Sequence, residues 1–463
     1  LLKASAMRPT RKRLAVATLA LLAFGAQATD LMQAWQAARE HDPDAAIALA
    51  ARQAGDTRRA QAAALWRPTL ALSATVGAMN ADTAMTGARF SAPGLGQSDG
   101  VNFGTSVHGG TSTRWGLSAR QPLVSGDKQA QRRQLLIGAD AADVEWQAAG
   151  QELMLHTAQR YFDAVLAERK LDLLRRQQVA VDQALVEAKD RFALGDKPVT
   201  DTHEAAARAR ALQAQVLAAD SELQLAREQL SDATGLPVAA LQLAPPADQA
   251  APAALPPLEQ WLDRAGQGNL QLRLQLANAE TAGQEVARRA ARAGVSLDLV
   301  AEAGRDRLSG NGDFGSASNT SSQQMIGLQL TVPLFTGGMR SARQDEAVRL
   351  QEKARAEVDR ARQQVRQQTR AAWLGLQTGQ ARLDALSASL TASRARLDAT
   401  QLGRQVGDRT TLDLLNAQND ASSAELALAQ ARTDVLLNRL RLAALAGELD
   451  EARLQEVNAS LQR

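Results

Sequence analysis

The sequence predicts a mixed, mainly α fold built from two repeats, each joining two very long helices to two β-strands. Three observations carry this reading. Prolines are sparse and unevenly placed, four segments alternate apolar and polar residues, and the second half repeats the turn residues of the first. Of 463 residues none is Cys and aromatics make up only 3 %. Ala, Leu, Gln, Arg and Glu dominate, the vocabulary of long helices and coiled coils. Without Cys there is no disulfide, thiolate metal site, catalytic Cys or lipid-anchoring Cys. So few aromatics also make a compact enzyme core a poor expectation. No uninterrupted apolar run reaches the ~18–20 residues of a membrane-spanning helix.

The chain begins with an address. After Met7 come Arg8, Arg11, Lys12 and Arg13, then the apolar stretch 14–24 and Ala26-Gln27-Ala28. A basic head, a short apolar middle and a small-x-small end read as a secretory signal peptide over residues 1–28, with the mature chain starting at Thr29. The five basic residues of this leader, Lys3 included, face no acidic one, so removing them turns the formal charge from +3 to about −2. The pI near 9.5 therefore implies no nucleic-acid partner. Basic residues of the mature chain alternate with acidic ones instead of clustering.

The helices follow from proline. None lies between Pro122 and Pro198, between Pro198 and Pro237, or after Pro333. A proline inside a helix costs ~3 kcal/mol, so these gaps predict helices over about 126–194, 199–234, 338–402 and 410–446. The first and third would be about 100 Å long at ~1.5 Å per residue. Ala205, Ala209, Leu212, Val216, Ala219, Leu223, Ala226 and Leu230 recur by four and three, a coiled-coil seam. Leu412, Leu415, Leu426, Leu436 and Leu440 keep the same register.

Strands are expected over about 68–79, 114–124, 295–304 and 325–335. Leu70, Leu72, Ala74 and Val76 alternate with Thr69, Ser73 and Thr75, and Leu297, Leu299, Ala301 and Ala303 with Ser296, Asp298 and Glu302. Such segments have one apolar and one polar face. The Gly-, Ser-, Thr- and Asn-rich stretches 80–112 and 305–323 read as exposed loops.

The duplication shows in paired punctuation. Gly116-Leu117 and Gln121-Pro122-Leu123 answer to Gly327-Leu328 and Val332-Pro333-Leu334. Gly195-Asp196-Lys197 and Asp201 answer to Gly407-Asp408-Arg409 and Asp413, and Trp35 to Trp261. A first repeat over 29–245 and a second over 246–463 follow, joined through the Pro/Ala-rich stretch 237–257.

Two-faced strands in a secreted chain suit an outer-membrane barrel, but four strands cannot close one, and open edges are not tolerated in lipid. Barrels begin at about eight strands, so three copies pooling four each would give twelve.

At this point the residues resemble a family. Leu31-Met32-Gln33-Ala34-Trp35 with Asp42-Pro43, Trp66-Arg67-Pro68-Thr69-Leu70, and the repeated Pro-Leu-x-x-Gly at 122–126 and 333–337 carry the likeness. Arg191-Phe192-Ala193-Leu194-Gly195 and Val406-Gly407-Asp408-Arg409-Thr410 at the helix turns add to it. The mature chain is similar to the TolC family of outer-membrane channel-tunnel proteins of Gram-negative bacteria. The resemblance implies a homotrimer, with a twelve-stranded barrel in outer-membrane lipid continued by an α-helical coiled-coil barrel through the periplasm. Its partners would be a periplasmic adaptor and an inner-membrane ABC exporter or proton-driven pump, with no cofactor and no catalysis.

Family members place adaptor contacts at the helix-hairpin tips, here Leu194, Gly195, Asp196, Val406, Gly407 and Asp408. Glycine at such a place also simply ends a helix. The family's gate latch maps to Thr200 and Asp201 on one hairpin and Arg404 and Arg409 on the other. An aromatic of the family gives way to Arg404, so the expected link is an Arg404–Asp201 ion pair. Asp413 matches an acidic ring that draws cations into the pore. The family's second acidic position is Asn416 here, with Asp420 a turn further on. A place near a helix N-terminus explains Asp413 as well.

The expected role is an export channel for type I protein (toxin) secretion. A small-molecule efflux duct of the same fold is the alternative, although the efflux branch often carries a lipidated N-terminal Cys that this chain lacks. A periplasmic coiled-coil adaptor or scaffold is the alternative of another class. Enzyme motifs are absent: His41, His108, His156 and His203 have no metal-ligand spacing, and His203-Glu204 lacks its second His. Asp313-Phe314-Gly315 stands without any other kinase element.

Overall fold

The computed structural model describes residues 29–94, 96–195, 198–247, 255–292, 294–313 and 315–461. The signal peptide expected over 1–28 and the tip residue Asp196 lie outside them. Within them the order is α1 (Leu31–His41), α2 (Pro43–Ala64), β1 (Thr69–Ala92), β2 (Gly96–Val124), α3 (Gly126–Ala193) and α4 (Val199–Thr234). After a short 3₁₀ turn come α5 (Leu258–Gly268), α6 (Leu270–Ala291), β3 (Ser296–Gly312), β4 (Gly315–Thr331), α7 (Met339–Gln405), α8 (Thr411–Leu445) and α9 (Glu451–Asn458). Helix, helix, strand, strand, long helix, helix thus occurs twice.

Each repeat opens with two shorter helices, α1 and α2 in the first and α5 and α6 in the second. Asp42 ends α1 and caps α2, accepting from the Asp44 N–H at 2.7 Å, with Pro43 in the first helical position. In the second repeat Asn269 plays this part, accepting from the Leu272 N–H at 2.9 Å. A capping side chain that serves the next helix frees the chain to turn between the two.

The four strands form one antiparallel sheet in the order β1-β2-β3-β4. They run far beyond the expected 68–79 and 114–124: the stretches read as loops, 80–112 and 305–323, are mostly paired strand. Their polar, small-residue composition reports that both faces meet solvent, and backbone pairing does not require an apolar face. Glycines absorb the irregularities. At the register shift after Met79, Gly109 sits at φ 58° and donates its N–H to Asn80 Oδ1 at 2.7 Å. β4 stops at Thr331, short of the expected 335, because Pro333 has no N–H to donate.

Among the described residues no layer covers the sheet. Leu70, Leu72, Leu117, Leu299, Ala301 and Ile326 share one face through the strand register, and Leu72 is 73 % and Ile326 76 % exposed. The other face carries paired charges: Arg120 lies 3.4 Å from Asp298 and donates to Gln329 at 2.7 Å, and Arg114 pairs with Asp306.

Below the sheet, α2, α3, α6 and α7 pack side by side; further along, α4, α3, α8 and α7 do so. The shorter helices therefore stack end to end, α4 under α2 and α8 under α6, beside the unbroken α3 and α7. Asn269 Nδ2 donates to the Leu445 carbonyl at 2.9 Å across the α8–α6 junction. The α3–α4 seam buries Ala167, Leu171, Ala219 and Leu223, then Val181, Ala184, Ala209 and Leu212. Alanine lets the two backbones approach closely, which is how a long pair holds together without a thick core.

The largest core sits midway along the helices, where α1, α9 and the first and last described residues meet. Tyr161 is fully buried there, its hydroxyl within hydrogen-bond reach of the Thr29 and Ala244 carbonyls (3.0 and 3.1 Å), and it accepts from the Ala244 N–H. Burial pushes this hydroxyl's pKa up. Asn458 ties α9 to α1, accepting from the Leu31 N–H at 2.9 Å and donating to Asp30 at 3.0 Å. The paired tryptophans are both buried, each under an arginine, Arg39 at 5.0 Å from the Trp35 ring and Arg264 at 5.3 Å from that of Trp261.

Candidate functional site

The two hairpin tips are built alike. Gly407 takes φ 83°, and its N–H bonds the Arg404 carbonyl at 3.1 Å while that of Asp408 bonds the Gly403 carbonyl at 2.8 Å. This pattern closes a helix end on a left-handed residue, and glycine adopts it at no steric cost. Gly195 at φ 74° likewise bonds Phe192. Beside these glycines Leu194 and Val406 stand 83 % and 75 % exposed. Large apolar side chains at the very ends of otherwise polar helices cost nothing once a partner covers them.

The expected Arg404–Asp201 ion pair does not form within the chain. Arg404 instead donates to Glu187 on α3 at 2.8 Å, and Glu187 also holds Arg191 at 2.9 Å. Glu187 is a long side chain near the lower end of α3, within reach of Arg404 at the tip, whereas Asp201 sits in the first turn of α4, where the helix dipole favours an acid. Thr200 is exposed. Arg409 lies over Gly403, where an added Cβ would stand 2.8 Å from the arginine's Cγ.

Each candidate ring residue has a partner in its own chain. Asp413 forms a capping box with Thr410: its carboxylate accepts from the Thr410 N–H at 3.0 Å and hydroxyl at 2.8 Å. The Thr410 N–H, then its hydroxyl, then the charges of Arg409 and Arg396 hold this carboxyl below the usual range. Asn416 accepts from Arg208 of α4 at 2.6 Å, and Asp420 pairs with Arg396 of α7 at 2.8 Å.

A further acidic residue ties the repeats together. Glu425 on α8 has a side chain only 15 % exposed and is met by three arginines. Arg169 binds it, Arg176 lies at 3.5 Å and Arg394 at 3.2 Å. Below it Gln177 donates to Asn419 at 3.1 Å. Glu187 and Glu425 escaped the sequence reading. Arg169, Asp172 and Arg176 fall at i, i+3 and i+7 on one helix face, which marked a charged stripe but not its partner on another helix.

Two helical hairpins, linked by ion pairs and continued by a sheet with an uncovered apolar face, fit the class of membrane-anchored channel proteins. The chain belongs to the outer membrane efflux protein family, whose sequence pattern matches residues 34–236 and 261–448. It is 27 % identical over 450 residues to the outer membrane protein TolC of Vibrio cholerae, covering 96 % of this chain and 97 % of that protein. It is 29 % identical over 446 residues to the alkaline protease secretion protein AprF of Pseudomonas aeruginosa, covering 96 % and 90 %. Among solved structures, the fold matches the outer membrane protein VceC of Vibrio cholerae at TM-score 0.69 and 19 % identity, covering 90 % of this chain and 96 % of that one. The open-state MtrE channel of Neisseria gonorrhoeae matches at 0.68 and 21 %, covering 91 % and 90 %. The protein is an outer-membrane export channel of the TolC type.

Proposed function

We propose that three copies form one duct, passing secreted protein from an inner-membrane ABC exporter and its periplasmic adaptor to the exterior without catalysing a reaction. The edges of the sheet carry this reading. β1 and β4 each have one strand neighbour, and the face they share with β2 and β3 is apolar and uncovered. In lipid every edge must be paired, so β4 of one copy meets β1 of the next, and three sheets close at twelve strands. The helices then continue the barrel as a tube about 100 Å long.

Secretion of protein, rather than small-molecule efflux, is supported by likeness to AprF and to the proteases secretion protein PrtF of Dickeya chrysanthemi, 27 % identical over 447 residues. At the tips, Leu194 and Val406 with Gly195, Gly407 and Asp408 form the adaptor contact. Arg404 with Glu187, beside Thr200, Asp201 and Arg409, forms the latch, and Asp413 with Asn416 and Asp420 lines the narrow entrance. The test is complementation in a bacterium deleted for its own channel. Restored secretion of an ABC-exported protease supports the reading. Restored drug resistance without secretion replaces it with efflux, and a soluble periplasmic pool in place of heat-stable outer-membrane trimers overturns the channel altogether.

A further inference from the structure

Every charged side chain on the membrane-level part of the sheet has a definite face, because directly opposed residues share one. On the polar face both arginines are neutralised: Arg114 by Asp306 and Arg120 by Asp298. The apolar face carries two charges, Arg305 and Arg307, which follow Leu297, Leu299, Ala301 and Ala303 in the same alternation. Both are exposed, and among the described residues neither side chain makes an ion pair or hydrogen bond. Arg305 stands opposite Trp115 and Ser322, Arg307 opposite Thr113 and Thr320. No acid faces them.

Their height is fixed by the strands. β3 leaves α6 at Ser296 and climbs to the turn before Gly315, the end remote from the helices. The apolar residues stop at Ile326 on β4, Ala303 on β3, Trp115 on β2 and Ala78 on β1, climbing across the register. That stagger is what strands tilted by ~45° in a bilayer require. Arg305 and Arg307 thus sit on the external rim of the lipid-facing band, about 7 Å apart along the strand, with the Trp115 ring beside them.

A guanidinium at the edge of hydrocarbon snorkels toward charge, and its planar fork matches a phosphate. We infer that Arg305 and Arg307 form an outward-facing site for the phosphates of the phosphorylated glycolipid in the outer leaflet. The site rests on the barrel reading above: the polar face turned inward, the apolar face to lipid. Three copies would ring the barrel with three such sites.

The test is native mass spectrometry of the detergent-purified full chain with lipid A carrying two, one or no phosphates, and with phosphatidylglycerol. The expected result is retention of diphosphoryl lipid A that falls with each phosphate removed and exceeds that of phosphatidylglycerol. R305Q/R307Q should weaken it about tenfold or more, and R305K/R307K, which keeps the charge and loses the fork, should restore only part of it. Equal retention whatever the phosphate number, or by the Gln variant, overturns the site. The wild-type phosphate series decides even if the Gln variant fails to assemble. Fractionation and heat-modifiability of the same sample separate the two readings: a stable outer-membrane trimer indifferent to phosphate removes this site alone.

Discussion

Arg404, on the last turn of α7, donates to Glu187 of α3 at 2.8 Å, so the second hairpin is tied to the first hairpin's long helix and not to its returning one. Each side chain of this pair is about one-third exposed, 32 % and 27 %, so solvent screens it and its worth is about 0.5–1 kcal/mol. In the proposed trimer three copies act together. Glu187→Gln is expected to raise single-channel conductance in a planar bilayer, and Asp201→Asn to leave it nearly unchanged. The reverse order would return the latch to Asp201.

Asp413 caps α8, and in the proposed duct the same ionised carboxylate draws cations. Its carboxyl pKa is depressed by the Thr410 N–H and hydroxyl, so the folded chain holds the charge more strongly than the unfolded one. The cap's contribution is fully present above the unfolded value and fades only as pH falls below about 3.8 and through the lowered folded value. Cation selectivity of the channel, read as reversal potential in a salt gradient, should therefore persist through pH 5 and 4. Asp413→Asn should reduce it at every pH. Selectivity lost between pH 6 and 5 would assign the ring to other groups.

The helices were legible because proline and glycine act locally: Gly195 and Gly407 follow the ends of α3 and α7, and Pro198 stands at the start of α4. The sheet was legible in its face pattern and not in its length, since the upper strands lack any apolar alternation and are held by backbone pairing alone. The site was less legible still. Sequence matching brought Arg404 forward with its charge, but its partner depends on which side chains of other helices the tip brings within its reach, a fact of packing. Glu425 had no signal, because its three arginines come from two distant segments.

Glu425 should matter more to stability than any surface pair. Removing it leaves Arg169, Arg176 and Arg394 crowded around a largely buried position, and stripping one partner from a buried pair costs ~3–5 kcal/mol. Part of that is relieved here, because the arginines reach solvent and Asp172 lies 3.1 Å from Arg176. Glu425→Ala is thus expected to cost about 2–3 kcal/mol, seen as a lower thermal midpoint by circular dichroism. Glu425→Gln should fall between, and an unchanged midpoint in both would reduce the cluster to solvated surface charge.

Two glycines with the same backbone twist should respond very differently to alanine. Gly407 has φ 83° and open space where a Cβ would go, so Gly407→Ala costs only the left-handed strain of ~1–2 kcal/mol. Gly447 has φ 72°, and its Cβ would stand 2.1 Å from the Gly268 carbonyl oxygen, where α8 ends against the turn from α5 into α6. Backbone cannot swing aside as a side chain does, so Gly447→Ala must part the α8–α6 junction and the Asn269–Leu445 bond with it. The expected outcome is a markedly larger fall in thermal midpoint for Gly447→Ala than for Gly407→Ala, with amide exchange accelerated around 268–272 and 443–447 only in the former. Equal falls would mean the stacked helices are not braced at this glycine and that strain alone sets both values.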